Sequence, residues 1–236
     1  MRKTIVPLII GSFLFATCTK EAFFEIATET NCFTPTEEPA AGSYNCDELI
    51  AIDYLGTHCG FMPLSRKNYW VYVDSFFNDG NFQSVQLDTL RFKTTYRSAT
   101  DNIIWWESNM DIGLPARLFV NENGIFQMQR RMFSACTWES NKEFITPAGD
   151  SSKYMARFDD IAAQGRAVKL AAMVTTPIGD FSDCILFEKY SRNFRKDQVI
   201  FKPGIGVVRY TREMSLRGHP LLKLQQISTL IQVHLE

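Results

Sequence analysis

The 236-residue chain carries 25 Lys and Arg against 26 Asp and Glu, for a formal net charge of −1. That balance lacks the basic excess by which a surface attracts nucleic acid, so no nucleic acid is expected as a partner. The length allows one sizeable core after a leader is set aside.

Arg2 and Lys3 precede an uncharged apolar run over residues 5–16, broken only by Pro7, Gly11 and Ser12. The run is too short to span a bilayer and has the charged and apolar regions of an export signal. It ends in "LFATC", residues 14–18, which resembles the lipobox of bacterial lipoproteins. That resemblance implies a signal peptide over 1–17 and lipidation at Cys18, with acyl chains such as palmitate holding the protein to a membrane. Each buried methylene contributes roughly 0.8 kcal/mol to such a tether. The expected location is the cell outer membrane, facing either the periplasm or the cell surface. "CTKE" after the cleavage point weakly resembles short acidic export signals of Bacteroidetes surface lipoproteins.

Residues 18–45 are expected to be the lipid anchor and a flexible linker, since "TPTEEPAAGS" at 34–43 reads as extended chain. A single β-rich domain is expected over 46–236, including a short N-terminal segment. "DELIAIDYLG" at 47–56 suits a short helix, with Asp47 favouring its first turn and Leu49, Ile50 and Tyr54 on one face.

From Asn68 the period becomes two. In "YWVYVDSFF", Tyr69, Val71 and Val73 alternate with Trp70, Tyr72 and Asp74, and "NDGN" at 78–81 supplies a hairpin signal. The next run sets Val85, Leu87 and Thr89 against Ser84, Gln86 and Asp88, the pattern of an antiparallel strand with one wet side. "NIIWWES" at 102–108, "ARLFV" at 116–120 and "IFQMQRRMF" after the turn at 121–124 follow as strands. Trp105 and Trp106 must then point to opposite faces, so at least one lies away from the main core, under a helix or lining a hollow. Phe126, Met128, Arg130 and Met132 share a face, and the arginine there indicates an edge or a buried charge.

Residues 139–152 read as loop, whereas "YMARFDDIAAQGRA" at 154–167 fits either a short helix or an irregular strand with a glycine turn. "VKLAAMVTT" and "DFSDCILFEKY" are strands joined through Pro177 and Gly179, with Cys184 beside Leu186 as a small buried hydrophobe. "KYSRNFRKD" at 189–197 reads as a solvated hairpin tip rather than the alternative of an anion site, and "VIFKPGIGVVRYTRE" as two strands around a corner at 203–206. In "LLKLQQISTLIQVHL" the apolar set changes face at Gln226 and Ile227, which predicts a bulge or bend. The fold class is therefore mainly β, or α+β: a curved antiparallel sheet or half-barrel with one or two short helices.

"VTTPIGDFSDC" at 174–184, with "IFKPGIGVVRY" at 200–210, resembles a pattern in small secreted or lipid-anchored bacterial proteins, TapB-like or distantly LolA-like in their curved sheets. "NYWVYVDSFFNDG" at 68–80 is similar to the opening strand and turn of uncharacterised Bacteroidetes lipoproteins. Pro177, Gly179, Phe181 and Cys184 match the first turn, with Ile178 where alanine is usual, and Pro203, Gly204, Gly206 and Val208 match the second. The resemblance implies architectural roles for these positions and brings no catalytic residues. LolA-like proteins carry lipid acyl chains in a hollow half-barrel plugged by helices.

Of the five cysteines after Cys18, at least one must stay free or pair outside the chain. Cys46 and Cys59 are the favoured disulfide, because both flank one compact segment. Cys59 and His58 lack further ligands at metal-site spacing, so neither metal nor cofactor is expected. For catalysis the raw material is Cys184 or Cys136 with His58 or His219, or the acids Asp159, Asp160, Asp180 and Asp183. None of them stands in a catalytic motif, and Asp180 and Asp183 would face opposite ways on a strand. The expectation is a non-enzymatic envelope protein that binds an apolar ligand or an envelope partner. A surface assembly or adhesion component and a carboxylate-dependent hydrolase are the alternatives.

Overall fold

The computed structural model describes residues 24–26, 32–40, 43–130, 136–215 and 221–236. The signal peptide over 1–17, the lipidation site at Cys18 and His219 lie outside the described residues. The strands, in chain order, are β1 Phe24–Ile26, β2 Ser43–Asn45, β3 Leu49–Ile52, β4 Tyr69–Asn78, β5 Asn81–Ser98, β6 Ile104–Ser108 and β7 Arg117–Val120. There follow β8 Gly124–Arg130, β9 Thr137–Ile145, β10 Ser151–Phe158, β11 Ile161–Lys169, β12 Val174–Thr176, β13 Gly179–Phe181, β14 Ile185–Ser191, β15 Arg195–Lys202, β16 Gly206–Ser215 and β17 Leu222–Leu235. The fold is almost entirely antiparallel β, and among the described residues one 3-10 turn at Cys46–Glu48 stands where one or two short helices were expected.

Fifteen strands form one sheet, in the order β10-β11-β14-β15-β16-β17-β4-β5-β6-β7-β8-β9-β2, with β1 added to β17 and β3 to β5. Apart from the excursion of the β12–β13 hairpin, neighbours from β4 to β9 and from β10 to β17 follow one another in sequence. β17 then returns to pair with β4, with Thr229 opposite Val73. The sheet is thus a meander curled toward a barrel, and its opening falls in mid-chain between β9 and β10. Bulges help it curl: Gln225 is the extra residue between the pairs Arg212–Gln226 and Glu213–Leu224. That is one residue from the break the sequence predicts.

The concave side is filled rather than hollow. Trp70 and Tyr72 of β4, Leu90 and Phe92 of β5, Phe187 of β14 and Phe201 of β15 are buried there together. Residues 53–68 cross this interior as a loop, with Phe61, Met62 and Leu64 buried. The Phe61 ring stacks on Phe201 at 4.7 Å, and Phe144 of β9 stacks on Phe187 at 4.5 Å. Polar tips are satisfied within this core: Trp70 Nε1 donates to the Ile205 carbonyl at 2.7 Å, and the Tyr72 hydroxyl donates to the Val207 carbonyl at 2.8 Å. Fully burying side chains of this size contributes about 1.5–3 kcal/mol each, so the core dominates stability.

Trp105 and Trp106 do point to opposite faces. Trp106 enters the main core, whereas Trp105 packs outside with Tyr44, Phe119, Phe126 and Met128. The cover for this second layer includes Tyr44 of β2 and Leu49 of β3 rather than a helix. Both disulfides tie down the N-terminal segment: Cys32 bonds to Cys59, and Cys46 to Cys136. The expected Cys46–Cys59 pair is therefore wrong, for a topological reason. β2 pairs with β9, which brings Cys46 to Cys136, while Cys59 lies in the interior loop, its N–H donating to the Phe33 carbonyl beside Cys32.

Three further expectations change. Residues 49–52 of the expected helix are strand β3, because they add to the edge of β5. Residues 139–145, read as loop, belong to β9, and of the two readings of 154–167 the strand holds, as the β10–β11 hairpin, with its turn at Asp159 and Asp160 rather than at the glycine. In β17 Gln226, Ser228 and Leu230 are buried, the first two beside the buried carboxyl of Asp74. Of the matched turn positions, Pro177 and Ile178 form the β12–β13 turn before Gly179, and Phe181 is buried. Pro203 and Gly204 begin the β15–β16 turn that ends at Gly206. Cys184 is a free, buried thiol.

Candidate functional site at the open seam

Alternation places one charged layer above the aromatic core. Pairing aligns Gly165 of β11 with Lys189 of β14, Lys189 with Asp197 of β15, and Asp197 with Arg212 of β16. The neighbouring ladder, Phe187 with Val199 and Val199 with Tyr210, is the top of the apolar core. Lys189 and Asp197 thus continue the inward faces of strands whose next inward residues are apolar. "KYSRNFRKD", read as a solvated tip, turns three of its charges toward the interior: Lys189, Arg195 and Asp197 line a cavity of about 530 Å³.

The cavity lies at the seam. Gln127, Gln129, Arg130, Trp138 and Glu143 line it from the β8–β9 side, and Arg157, Phe158 and Asp159 from the β10 side. Residues 108–116 form another wall. Gly113, at φ +80°, lets that wall close on β15 and β16, since a side chain there would meet Val199 and Tyr210. Gly165 has a related role: a Cβ would collide with the Tyr154 ring of the adjacent strand.

The charges in this wall neutralise one another. Arg195 binds Asp197 through two hydrogen bonds, from Nε at 2.8 Å and Nη2 at 2.6 Å, the geometry that favours arginine–carboxylate pairs. The Tyr210 hydroxyl donates to Asp197 Oδ2 at 3.0 Å and accepts from Arg212 Nε at 2.7 Å. Arg212 also pairs with Asp111 of the wall. Burial, and next the Asp197 carboxylate, push the Tyr210 phenol well above its usual range, so it remains a donor.

Glu143 and Lys189 form an ion pair that crosses from β9 to β14. Glu143 is the extra residue of a bulge, lying between the pairs Ile125–Phe144 and Phe126–Lys142. The bulge turns its carboxyl inward, where it is 2% exposed. Burial raises its pKa, opposed by Lys189, and Oε2 has no hydrogen-bond partner among the described residues. Lys189 and Arg195 each lie 4.9 Å from the centre of the Phe158 ring. The seam is further spanned by Gln129 Nε2, 3.5 Å from Asp159 Oδ1. This lattice of paired charges presents both donors and acceptors of hydrogen bonds to the cavity. An acyl chain placed against it would gain no such contacts.

Among the described residues, those considered for catalysis are not brought together. Cys136 is in a disulfide. Cys184 is buried beside β14, and burial raises its thiol pKa. His58 lies in the interior loop, where its Nδ1 accepts from Trp106 Nε1 at 3.2 Å and burial lowers its pKa to about 4. Asp180 is on β13 and Asp183 precedes β14, whereas Asp159 and Asp160 form the β10–β11 turn, of which Asp159 reaches the cavity. Among the described residues there is no group of three or more His, Cys, Asp and Glu suited to a metal, and no helix long and apolar enough to cross a membrane. No protein-family model, curated protein or solved structure matches the chain.

Proposed function

We propose that the protein is a non-enzymatic, lipid-anchored component of the cell envelope that binds an envelope partner at the open seam between β9 and β10. The anchor rests on "LFATC" and the apolar run before it. The observation that carries the binding site is the polar cavity of about 530 Å³, placed where the sheet remains open and walled by ion pairs already formed. A wall organised in this way needs little reorganisation when it meets a polar surface, which lowers the cost of association. Filling of the interior by Phe61, Phe144, Phe187 and Phe201 favours such a partner over an apolar ligand carried inside the sheet.

The test uses the full-length chain in intact cells, with a photoreactive residue at Gln129. The expected result is a discrete adduct with an envelope component, lost when Cys18→Ala releases the chain from the membrane. No adduct above the level of an exposed control position would overturn the reading.

A further inference from the structure

The strand edge on the β10 side of the seam is open among the described residues. Which backbone groups face it follows from the ladder on its other side. Lys169 donates its N–H to the Asp150 carbonyl at 2.8 Å, and Phe158 pairs with Ile161 across the two-residue turn. In an antiparallel ladder these pairs alternate, so the even-numbered residues from 150 to 158 direct their N–H and C=O groups to β11. Lys153, Met155 and Arg157 turn theirs to the seam.

Across the opening stands β9, whose residues after Glu139 extend beyond its pairing with β2. Between the two edges is a second cleft of about 290 Å³, bordered by Asn141 and Lys142 on one side and by Met155 and Arg157 on the other. A row of alternating donors and acceptors at strand spacing is matched by an extended polypeptide backbone, the basis of recognition by strand addition.

Side chains specify the strand further. Lys153, Met155 and Arg157 share the outer face of β10, and Met155 is 79% exposed. Lys153 sits directly opposite Arg166 of β11, a like-charge pair across the ladder. Arg157 lies 3.8 Å from the Asp160 carboxylate. An added strand with carboxylates beside Lys153 and Arg157 and an apolar residue between them offsets that positive charge and covers Met155. Inward positions must be small, because the strand passes Tyr154 and Ala156 on the cavity side.

We propose that the seam receives its partner as an extended peptide that adds antiparallel to β10 along Lys153–Arg157, with an acidic–apolar–acidic alternation on its outer face. This rests on the seam reading above.

The test measures amide hydrogen exchange of the folded chain with a capped synthetic heptapeptide, its second and sixth residues glutamate, its fourth valine and the rest alanine or threonine. Exchange at Lys153, Met155 and Arg157 is expected to slow at least tenfold at saturation. Replacing both glutamates by lysine, or methylating the valine nitrogen, is expected to abolish the effect. Unchanged exchange at the three amides, or equal protection by the lysine peptide, overturns the proposal. Photo-crosslinking at Gln129 reads occupation of the seam whatever fills it. Adducts there without protection of the three amides overturn strand addition alone, and absence of adducts overturns the seam reading on which it stands.

Discussion

Removing each disulfide separately tests how the N-terminal segment is attached. Cys46–Cys136 closes a loop with a sequence separation of 90, and Cys32–Cys59 one of 27. If the cross-links act by restricting the unfolded chain, loop-closure entropy gives about 4.6 kcal/mol for the longer loop and about 3.5 kcal/mol for the shorter one. The Cys46→Ser/Cys136→Ser variant should therefore lose about 1 kcal/mol more than Cys32→Ser/Cys59→Ser. Loosening of the outer layer of Tyr44 and Trp105 adds to that loss. Urea unfolding followed by tryptophan fluorescence, with the remaining disulfide intact, measures both. An equal or reversed order would refute the reasoning, as would a disulfide-linked peptide joining Cys46 to Cys59 in a non-reduced digest.

Asp74 is buried, and its pKa is raised to about 6 from 3.8, first by burial and then by Asp88. The fold favours its protonated form, so this contribution is complete below the unfolded pKa and is lost as pH rises through about 6; the full shift corresponds to about 3 kcal/mol. Asp74→Asn should remove that loss, gaining stability relative to wild type between pH 4 and 8 in urea titrations, and parallel profiles would count against the assignment. Lys189→Met leaves the Glu143 carboxyl buried without its cation and should cost about 3–5 kcal/mol, much of it recovered by adding Glu143→Gln. Additive losses in that double variant would show that the two side chains act independently. Cys184 should react with a thiol reagent only at the rate of unfolding, because the thiol is buried and its pKa raised. Rapid labelling of the native protein would contradict that placement.

Alternation made the sheet legible. Trp70 and Tyr72 against Val71 and Val73, and the turn residues at 78–81, specify a hairpin without knowledge of its neighbours. The change of face in the last strand was legible for the same reason, since a regular strand cannot move its apolar set across the sheet. Which face is inward was not. Val85 and Leu87 look like a core row yet are exposed, because the first half of β5 projects past the strands that would cover it. The disulfides were illegible because Cys46–Cys136 depends on β2 finding β9, 90 residues away, and Cys32–Cys59 on the interior loop meeting the segment at Phe33. The charged layer did leave a signal: Lys189 follows Phe187 by two residues, and Asp197 precedes Val199 by two, so these charges continue buried faces. A dense charge run masks that signal by resembling a solvated tip.

The seam is tested most directly by comparing photo-crosslinking in intact cells at two places on the same chain. Asn109 and Gln129 line the cavity, whereas Phe82 and Leu87 lie exposed on the β4–β5 hairpin. The account predicts a common envelope adduct from Asn109 and Gln129 and background yield from Phe82 and Leu87. Adducts concentrated on the hairpin, with none from the cavity, would contradict it.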